Sequence, residues 1–459
     1  MTQRIRIIHT NDLHSQFDRW PALVHAVREK RHEAIKNGED SLVFDIGDHC
    51  DRSHPITEAL LGKGNVQLLN DVEYDAVTIG NNEGMTLPKT ALESLYKGAN
   101  FPVVLSNLKH LNGEKPEWCE SVKWFELNGG IKVAVLGVTV AYPAFYEPLG
   151  WKVLPPIENL RTIVDQVKDE ADVLICLSHL GLHKDEVLAE EIPELDVVLG
   201  AHTHHVLEQG VCVNGVLINQ AGRSGSHVGE VTLTVCSTSK QVLSSSAQTD
   251  AIPATQPPDE QAQQKIQLLR KQAAQKMSEA VAYLSDPLLI DWQTESPFAS
   301  LLAEAMREWS NTDIAMINAG VLLQPLSKGE VTKAGLHEVC PHPINPAILT
   351  VSGQQLLEII KYGQNRQLIE KQVKGFGFRG KQIGAMIYDG LTFPSSRDDH
   401  EGFYIHGEPL NFEKTYTLAT VDMFTFGKLY PPISDHSSIR YLMPEFLRDI
   451  IAWKLSSFN

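Results

Sequence analysis

Residues 7–14 read Ile7-Ile8-His9-Thr10-Asn11-Asp12-Leu13-His14, a short apolar strand that runs directly into an Asp and a His two positions apart. Because side chains alternate along an extended chain, Asp12 and His14 can point in the same direction at the end of this strand. A carboxylate and an imidazole that converge in this way form half of a metal site. Taken alone, the segment is equally typical of an Asn-Asp turn with a surface histidine, so the metal interpretation depends on the rest of the amino-terminal half.

Four more predicted strands end in residue types that bind metals. They are 41–46, 75–79, 172–177 and 195–199, and each is followed within a few residues by Asp, Asn or His. Ligand sites in α/β sheets lie beyond the carboxyl ends of the strands, so neighbouring strands would bring these side chains into one crevice. Five such strand ends in succession are improbable for residues that are merely common in loops. The predicted metal ligands are Asp12, His14, Asp48, Asn81, His179, His202 and His204.

This ligand set contains carboxylates, an amide and imidazoles but no thiolate. Oxygen and nitrogen donors suit Mn, Zn or Fe, and they poorly suit a closed structural zinc site. Seven ligands are too many for one ion, so we expect two divalent ions, with Asp48 as the bridge because a carboxylate can bind two cations. Two ions about 3.5–4 Å apart lower the pKa of a shared water, and the resulting hydroxide attacks phosphorus in line.

Taken together, the five motifs resemble those of the calcineurin-like metallophosphoesterases. They occur in the order Asp12-x-His14, Gly47-Asp48, Gly80-Asn81, Ser178-His179 and Gly200-x-His202-x-His204. The opening residues 9–14 resemble in particular the 5′-nucleotidase branch, which carries a second domain. The resemblance covers residues 4–236 and implies an α/β fold, a four-layer αββα sandwich. It also implies that one metal is held by Asp12, His14, Asp48 and His204 and the other by Asp48, Asn81, His179 and His202.

One motif departs from the family pattern. The family usually reads Gly-Asn-His-Glu-Phe-Asp, whereas this chain reads Gly80-Asn81-Asn82-Glu83-Gly84-Met85. The resemblance assigns to that His, paired with the Asp, stabilisation of the transition state or protonation of the leaving group. Asn82 can donate a hydrogen bond to a phosphoryl oxygen but supplies no proton at neutral pH, and loss of a general acid typically costs about 10²–10⁴ in rate. The candidate catalytic residues are therefore Asn82 and His49, with His54 and Asp51 as alternatives for the acid.

Composition argues against several other classes of protein. The 459-residue chain carries a formal net charge of −17, which disfavours general binding to nucleic acid or to anionic membranes. Its six cysteines are scattered without a Cys-x-x-Cys pair, so neither a disulfide framework nor a zinc ribbon is expected. The sequence has no recognisable secretory or membrane-spanning segment, and we expect a cytoplasmic monomer that binds a small phosphorylated molecule.

A change in composition divides the chain into two parts. Residues 237–258 are rich in Ser, Thr, Gln and Pro and predict a boundary, and Asp259 then caps a polar helix predicted over 260–283. The predicted domains are a metallophosphoesterase domain over 1–250, a linker and connecting helix over 251–285, and a smaller α+β domain over 286–459.

The carboxy-terminal half resembles the substrate domain of the 5′-nucleotidases more weakly. Residues 317–320 match in order, but Leu323 stands where the family carries a phosphate-binding Arg. Residues 374–381 combine glycines, two aromatic rings and three cations, which could stack a ring and pair a phosphate, or could form a solvated surface loop. The substrate-binding candidates are Asn318, Phe376, Phe378 and Arg379.

Three functions are compatible with these features. The first is a two-metal hydrolase of phosphate esters or anhydrides, with a nucleotide or a related metabolite as its substrate. The second is a metal-retaining nucleotide-binding or sensing protein with weakened catalysis, which Asn82 and Met85 favour and the intact ligand set disfavours. The third keeps the enzyme but changes the substrate to a 2′,3′-cyclic nucleotide or a sugar nucleotide. All three share the fold, so the fold alone does not distinguish them.

Overall fold

Apolar strands of the amino-terminal part pair into two sheets. The computed structural model describes residues 2–393, 402–436 and 438–457, and the chain divides into units 1–273 and 274–459. Over the described residues, the first sheet has five strands in the order Val242–Ala251, His227–Cys236, Thr2–Thr10, Asp40–Asp45 and Ala76–Val77. Over the same described residues, the second sheet has six strands, in the order Val211–Val213, Val216–Gln220, Val197–Gly200, Val173–His179, Ile131–Thr139 and Val122–Leu127.

The apolar core of this unit lies between the two sheets. Alternation along the first strand turns Ile5 and Ile7 toward the second sheet, where they join one buried cluster of aliphatic side chains. Helices Pro156–Val167 and Leu182–Glu191 bury their apolar sides against the outer face of the second sheet. Helix Trp20–Lys36 packs on the first sheet. The order helix, sheet, sheet, helix is the predicted four-layer α/β sandwich, which is thereby confirmed.

Apolar spacing predicts helices over 20–36 and 157–169, and the structure has them as Trp20–Lys36 and Pro156–Val167. The apolar spacing predicts a single helix over 57–69, but the structure has two, Pro55–Leu60 and Lys63–Leu69. The break occurs because Leu61 and Gly62 adopt left-handed backbone conformations, with φ of 47° and 78°. The shorter helices and 3₁₀ turns are Asn81–Thr86, Lys89–Leu95, Tyr96–Gly98, Asn128–Gly130 and Pro143–Tyr146. A small separate sheet pairs Leu108–His110 with Trp151–Val153.

The segment predicted as a boundary at 237–258 contains a strand that its sequence does not predict. Val242–Ala251 pairs antiparallel with His227–Cys236 at the edge of the first sheet. Most of its side chains are exposed, so its sequence shows the polar composition of a linker rather than the alternation of a half-buried strand. Asp259 caps the helix that follows, since its Oδ1 accepts a hydrogen bond of 2.8 Å from the main-chain N–H of Ala262.

The division between the two units falls inside this helix, Glu260–Met277, and thus between the predicted domain limits at 250 and 286. Strand Ala280–Leu284 stands where the last turns of a longer helix are predicted. In the described part of the chain, no helix combines the length and the apolar character that crossing a membrane requires.

The carboxy-terminal unit is built around one mixed sheet. Within the described residues its strands run in the order Met386–Asp389, Ile314–Asn318, Thr415–Val421, Pro346–Ser352 and Ile439–Tyr441. Smaller sheets pair Ala280–Leu284 with Gly329–Thr332, and Tyr404–Ile405 with both Leu391–Thr392 and Glu408–Pro409. The helices and 3₁₀ turns are Pro297–Ser310, Ala319–Val321, Lys333–Val339, Gly353–Gly363, Arg366–Ile369, Asp422–Thr425, Pro431–Ser434 and Leu447–Ser456. This α+β arrangement agrees with the predicted class of the second domain.

Candidate metal centre

Side chains from both sheets meet beyond the carboxyl ends of parallel strands. Thr2–Thr10 runs parallel to Asp40–Asp45 in the first sheet, and Val173–His179 runs parallel to Val197–Gly200 in the second. Two groups of side chains, each with its ligand atoms within 4.8 Å of one another, are Asp12, His14 and His204, and Asp48, His179 and His202. Asn81 lies beside the second group, so the structure brings all seven predicted ligands together.

The first group is arranged around one oxygen of Asp12. Its Oδ1 lies 3.5 Å from Nε2 of His14 and 3.4 Å from Nε2 of His204. The two imidazole nitrogens are 3.0 Å apart, and the rings meet edge to face. Three ligand atoms this close to one another can coordinate a single ion.

The second group is arranged around Asp48. Its Oδ2 lies 3.3 Å from Nε2 of His179 and 3.9 Å from Nε2 of His14, so this carboxylate faces both groups. The amide Oδ1 of Asn81 lies 2.8 Å from Nδ1 of His202. The position of Asp48 between the groups is the one that a bridging carboxylate requires.

Two buried atoms in this centre lack a hydrogen-bond partner among the described residues. They are Oδ1 of Asp12 and Nε2 of His179, and both side chains are 0% exposed. The other nitrogen of His179, Nδ1, lies 2.7 Å from the carbonyl oxygen of Ile46. An Nδ1–H donated to that carbonyl leaves the lone pair on Nε2, which is the tautomer that binds a metal. Buried polar atoms are normally paired, so these orphaned atoms fit a bound cation.

Charges in the centre also favour a cation. Burial raises the pKa of Asp12, but the imidazoles of His14, His204 and His179 outweigh burial and hold this pKa well below its ordinary value. Burial lowers the pKa of His179, but the carboxylates of Asp48 and Asp12 raise it to about 10. The centre therefore stabilises positive charge, and divalent ions would replace the protons that it otherwise attracts.

Five of the ligands have left-handed backbone conformations. The φ angle is 50° at Asp12, 49° at His14, 53° at Asp48, 73° at His202 and 60° at His204. Residues other than glycine rarely adopt such angles, and the strain persists only where the surrounding structure imposes it. The turns after the strands thus hold the ligands at an energetic cost, which is typical of functional sites.

Glu83 organises the centre without being a predicted ligand. Its carboxylate is buried and accepts hydrogen bonds from the main-chain N–H groups of Asp48 and Gly80, both at 2.9 Å, and of Cys50 at 2.7 Å. These bonds fasten the loop after the second strand to the start of helix Asn81–Thr86. The signal in the sequence is an acidic residue at the third position of that helix, where a carboxylate caps the helix.

Asn82 contacts the centre through its main chain and its side chain. Its main-chain N–H donates to Oδ1 of Asp48 at 2.6 Å, and its Nδ2 donates to the carbonyl oxygen of Cys50 at 2.8 Å. The same Nδ2 lies 2.8 Å from Nδ1 of His14. Asn82 therefore positions a predicted ligand as well as lying at the site.

The alternatives for the missing acid lie in structural positions. His49 is 2% exposed and its ring meets Trp20 edge to face at 5.0 Å, while its buried Nε2 has no hydrogen-bond partner within the described part of the chain. Burial lowers the pKa of His49 to about 3. His54 caps helix Pro55–Leu60, and Asp51 accepts a hydrogen bond from the main-chain N–H of Ser53 at 2.8 Å. The acid role of His49 stays a prediction, and its burial favours a packing role.

The substrate-binding candidates of the second unit differ in exposure. Asn318 is 0% exposed and donates from Nδ2 to the carbonyl oxygen of Ile383 at 2.8 Å. Phe378 is 3% exposed and stacks on His342. Phe376 is 46% exposed, and the side chain of Arg379 is exposed as well. The loop therefore divides into core-facing and solvent-facing residues, which its sequence does not reveal.

Two residues outside the predicted set contact predicted metal ligands. The hydroxyl of Tyr142 lies 3.4 Å from Nε2 of His202, and Nη1 of Arg223 lies 3.4 Å from Nδ1 of His204. Both belong to exposed loop positions. Neither forms part of a recognisable motif, so the sequence alone carries no signal for their proximity to the centre.

Two protein families match the chain. One is the calcineurin-like phosphoesterase family, over residues 5–206, and the other is the 5′-nucleotidase C-terminal domain, over residues 281–429. The uncharacterized metallophosphoesterase YunD of Bacillus subtilis (strain 168) is 44% identical over 463 residues, which cover 99% of this chain and 100% of YunD.

Solved structures of low sequence identity share the fold. The NAD nucleotidase NadN of Haemophilus influenzae superposes with a TM-score of 0.70 at 13% identity, covering 100% of this chain and 97% of NadN. A 5′-nucleotidase precursor from Thermus thermophilus superposes with a TM-score of 0.60 at 19% identity, covering 99% and 96% of the two chains. With both domains matched and YunD similar over its whole length, the chain belongs to the two-domain metallophosphoesterases of the 5′-nucleotidase type, which are metal-dependent phosphoester hydrolases.

Proposed function

We propose that this protein hydrolyses a phosphate ester or anhydride of a nucleotide or related metabolite, using two divalent ions held by the seven predicted ligands. The observation that carries the proposal is the pair of ligand groups joined through Asp48, whose Oδ2 faces His179 at 3.3 Å and His14 at 3.9 Å. Displacement at phosphorus by a two-metal enzyme requires two such sites at close range.

The donor atoms define which ions the centre suits. Asp12, His14 and His204 would hold one ion, Asn81, His179 and His202 would hold the other, and Asp48 would be shared. Two such ions, when bound, polarise the phosphoryl group and lower the pKa of a water molecule between them. Oxygen and nitrogen donors without sulfur favour Mn, Zn or Fe.

Asn82 determines which leaving groups the enzyme accepts. Its Nδ2 is held by the carbonyl of Cys50 and by His14, and an amide has no proton to give at neutral pH. The leaving oxygen therefore departs without a proton from this residue. Diphosphates and activated phenols leave readily as anions, so we expect them to be preferred over alkyl phosphates by up to the factor of about 10²–10⁴ that a general acid contributes.

A pair of aromatic rings in the carboxy-terminal unit supports a nucleotide-type substrate. The exposed ring of Phe376 lies nearly parallel to that of Phe426, with centroids 6.0 Å apart and planes 12° apart. Phe426 is half-buried, and the exposed ring of Phe376 is of the kind that stacks planar bases without strong sequence preference. We assign base binding to these two side chains, in the domain whose sequence matches the 5′-nucleotidase C-terminal family.

The test is phosphate release by Mn-loaded protein from a panel of nucleoside mono-, di- and triphosphates, 2′,3′-cyclic nucleotides, sugar nucleotides and nitrophenyl phosphate. We expect metal-dependent turnover that Asp48→Asn abolishes, because this substitution removes a charge that both ions share. A Mn-loaded protein with two bound ions and no turnover on any substrate would contradict the proposal.

A nucleotide-binding or sensing protein with weakened catalysis is the second candidate, and the Asn82 and Met85 positions favour it. The double variant Asn82→His with Met85→Asp restores the residue types of the family motif. In a sensing protein, ion-dependent nucleotide binding without hydrolysis should give way to turnover in the double variant. In a hydrolase, the wild type already turns over and the double variant gains mainly on alkyl phosphates.

A further inference from the structure

Arg223 lies on a loop that is fastened to the metal-ligand segment. This loop, residues 221–226, connects strands Val216–Gln220 and His227–Cys236. Asn11 accepts a hydrogen bond from the main-chain N–H of Ala221 at 3.1 Å and donates to the carbonyl of Gly222 at 2.7 Å. The N–H of Ser224 donates to the carbonyl of Asp12 at 2.8 Å. The loop therefore holds Arg223 next to the centre.

The hydrogen bonds shown within this loop use the main chain of Arg223. Its carbonyl oxygen accepts hydrogen bonds from the N–H and the hydroxyl of Ser226, at 3.1 Å and 2.7 Å. Its side chain is exposed, and Nη1 approaches Nδ1 of His204 at 3.4 Å, a distance at the weak end for a hydrogen bond. The guanidinium is thus placed at the centre but only weakly engaged there.

Occupation of the centre by an ion changes what Arg223 can bind. His204 presents Nε2 to Oδ1 of Asp12 at 3.4 Å, so Nε2 is the nitrogen that faces an ion. A neutral imidazole that binds a cation through Nε2 carries its proton on Nδ1. A guanidinium only donates hydrogen bonds, so it has no bond to make with Nδ1–H. The loss of this acceptor and the added positive charge both favour an anion as the new partner of Arg223.

We propose that Arg223 binds a phosphoryl group of the substrate when the centre holds its ions. This proposal rests on the proposed function, because the phosphate must lie at the ions for the guanidinium to reach it. Phosphate oxygens match the planar fork of a guanidinium in bidentate hydrogen bonds. Arg223 then supplies a phosphate-binding cation from the same unit as the metal ligands.

Calorimetric titration of inorganic phosphate into Mn-loaded protein tests this role directly. We expect Arg223→Gln to raise the Kd for phosphate by about 10–100-fold, the range for loss of a charge-assisted hydrogen bond. Arg223→Lys keeps the charge without the fork and should be intermediate. Arg161→Gln is the matched control, because Arg161 is another exposed arginine of this unit with a surface partner, Glu191, at 3.3 Å. The KM for nitrophenyl phosphate should rise in parallel with the Kd.

Metal content separates this role from metal binding. All variants should retain two Mn ions per chain, and a loss of ions in Arg223→Gln would overturn the proposal. Wild-type phosphate affinity in Arg223→Gln, or no phosphate binding by the Mn-loaded wild type, would overturn it as well. Arg223-dependent phosphate binding in a protein that hydrolyses nothing would support this role while contradicting the proposed hydrolysis. The two proposals therefore fail separately.

Discussion

A single methyl group at Gly80 is expected to disable the metal centre. A Cβ atom at this position would lie 1.9 Å from Oδ1 of Asp48 and 2.6 Å from Cε1 of His179. Asp48 follows a strand of one sheet and His179 ends a strand of the other, so this one substitution would displace candidate ligands from both sheets. Gly80 itself has φ −97° and ψ −172°, an extended conformation that alanine adopts freely, so the whole effect of Gly80→Ala comes from these contacts.

The size of the effect follows from the distances. Contacts of a real Cβ below 3.0 Å are essentially never seen, so Asp48 or its surroundings must move by about 1.1 Å. Metal sites tolerate ligand displacements of only about 0.2 Å, and a misplacement of about 1 Å can cost 10²-fold in rate. Overpacking of this kind also costs about 1–3 kcal/mol of stability. We expect kcat/KM to fall at least about 100-fold and the ions to bind more weakly.

Metal content by mass spectrometry, kcat/KM on the best substrate, and the thermal midpoint should be measured together. Gly98→Ala is the matched control, because a Cβ there would meet no atom of the described residues within 4 Å. It should leave all three quantities unchanged. A Gly80→Ala protein that keeps two tightly bound ions and near wild-type turnover would refute the assignment of Asp48 and His179 to the centre.

Three further predictions concern other residues. Burial raises the pKa of Asp422 from 3.8 to about 8. Between these two values the unfolded state binds fewer protons than the folded state, so the free energy of unfolding falls as pH rises, by at most about 1.4 kcal/mol per pH unit. The thermal midpoint should therefore fall less steeply with pH for Asp422→Asn than for the wild type, and equal slopes would contradict this. His49→Ala should slow hydrolysis of alkyl and nitrophenyl phosphates by the same factor, because its ring is packed in the core, whereas a loss confined to alkyl phosphates would identify it as the acid. Phe378→Ala should destabilise the protein by about 3–5 kcal/mol. Phe376→Ala should instead raise the KM for nucleotides with little change in stability, because this ring is exposed. Denaturant unfolding and steady-state kinetics distinguish the two effects, and the reverse pattern would refute the assignment.

The convergence of the candidate metal ligands could be predicted because their signal is local. Each apolar strand is followed directly by Asp, Asn or His, as at Asp12 and His179. Parallel strands place their carboxyl ends at the same edge of a sheet, so a local pattern predicted that distant residues converge. The helix Trp20–Lys36 and the hairpin that turns at Asn214-Gly215 were also predictable, because apolar spacing and turn chemistry act over a few residues.

The tertiary structure decided what each side chain contacts and whether it is buried. His49 follows Asp48 directly yet packs against Trp20, and Phe378 is buried two positions from the exposed Phe376. Strand Val242–Ala251 was missed because an exposed edge strand has the composition of a linker.

The two residues that add most to the site beyond the predicted ligands also depend on tertiary structure. Glu83 binds N–H groups on a different loop, and Arg223 reaches His204 from a loop 19 positions along the chain. Local sequence determines conformational preference and the chemical types available. Partners, burial and the atom that a side chain presents come from segments that only the folded chain brings together, and these contacts give the seven candidate ligands their arrangement.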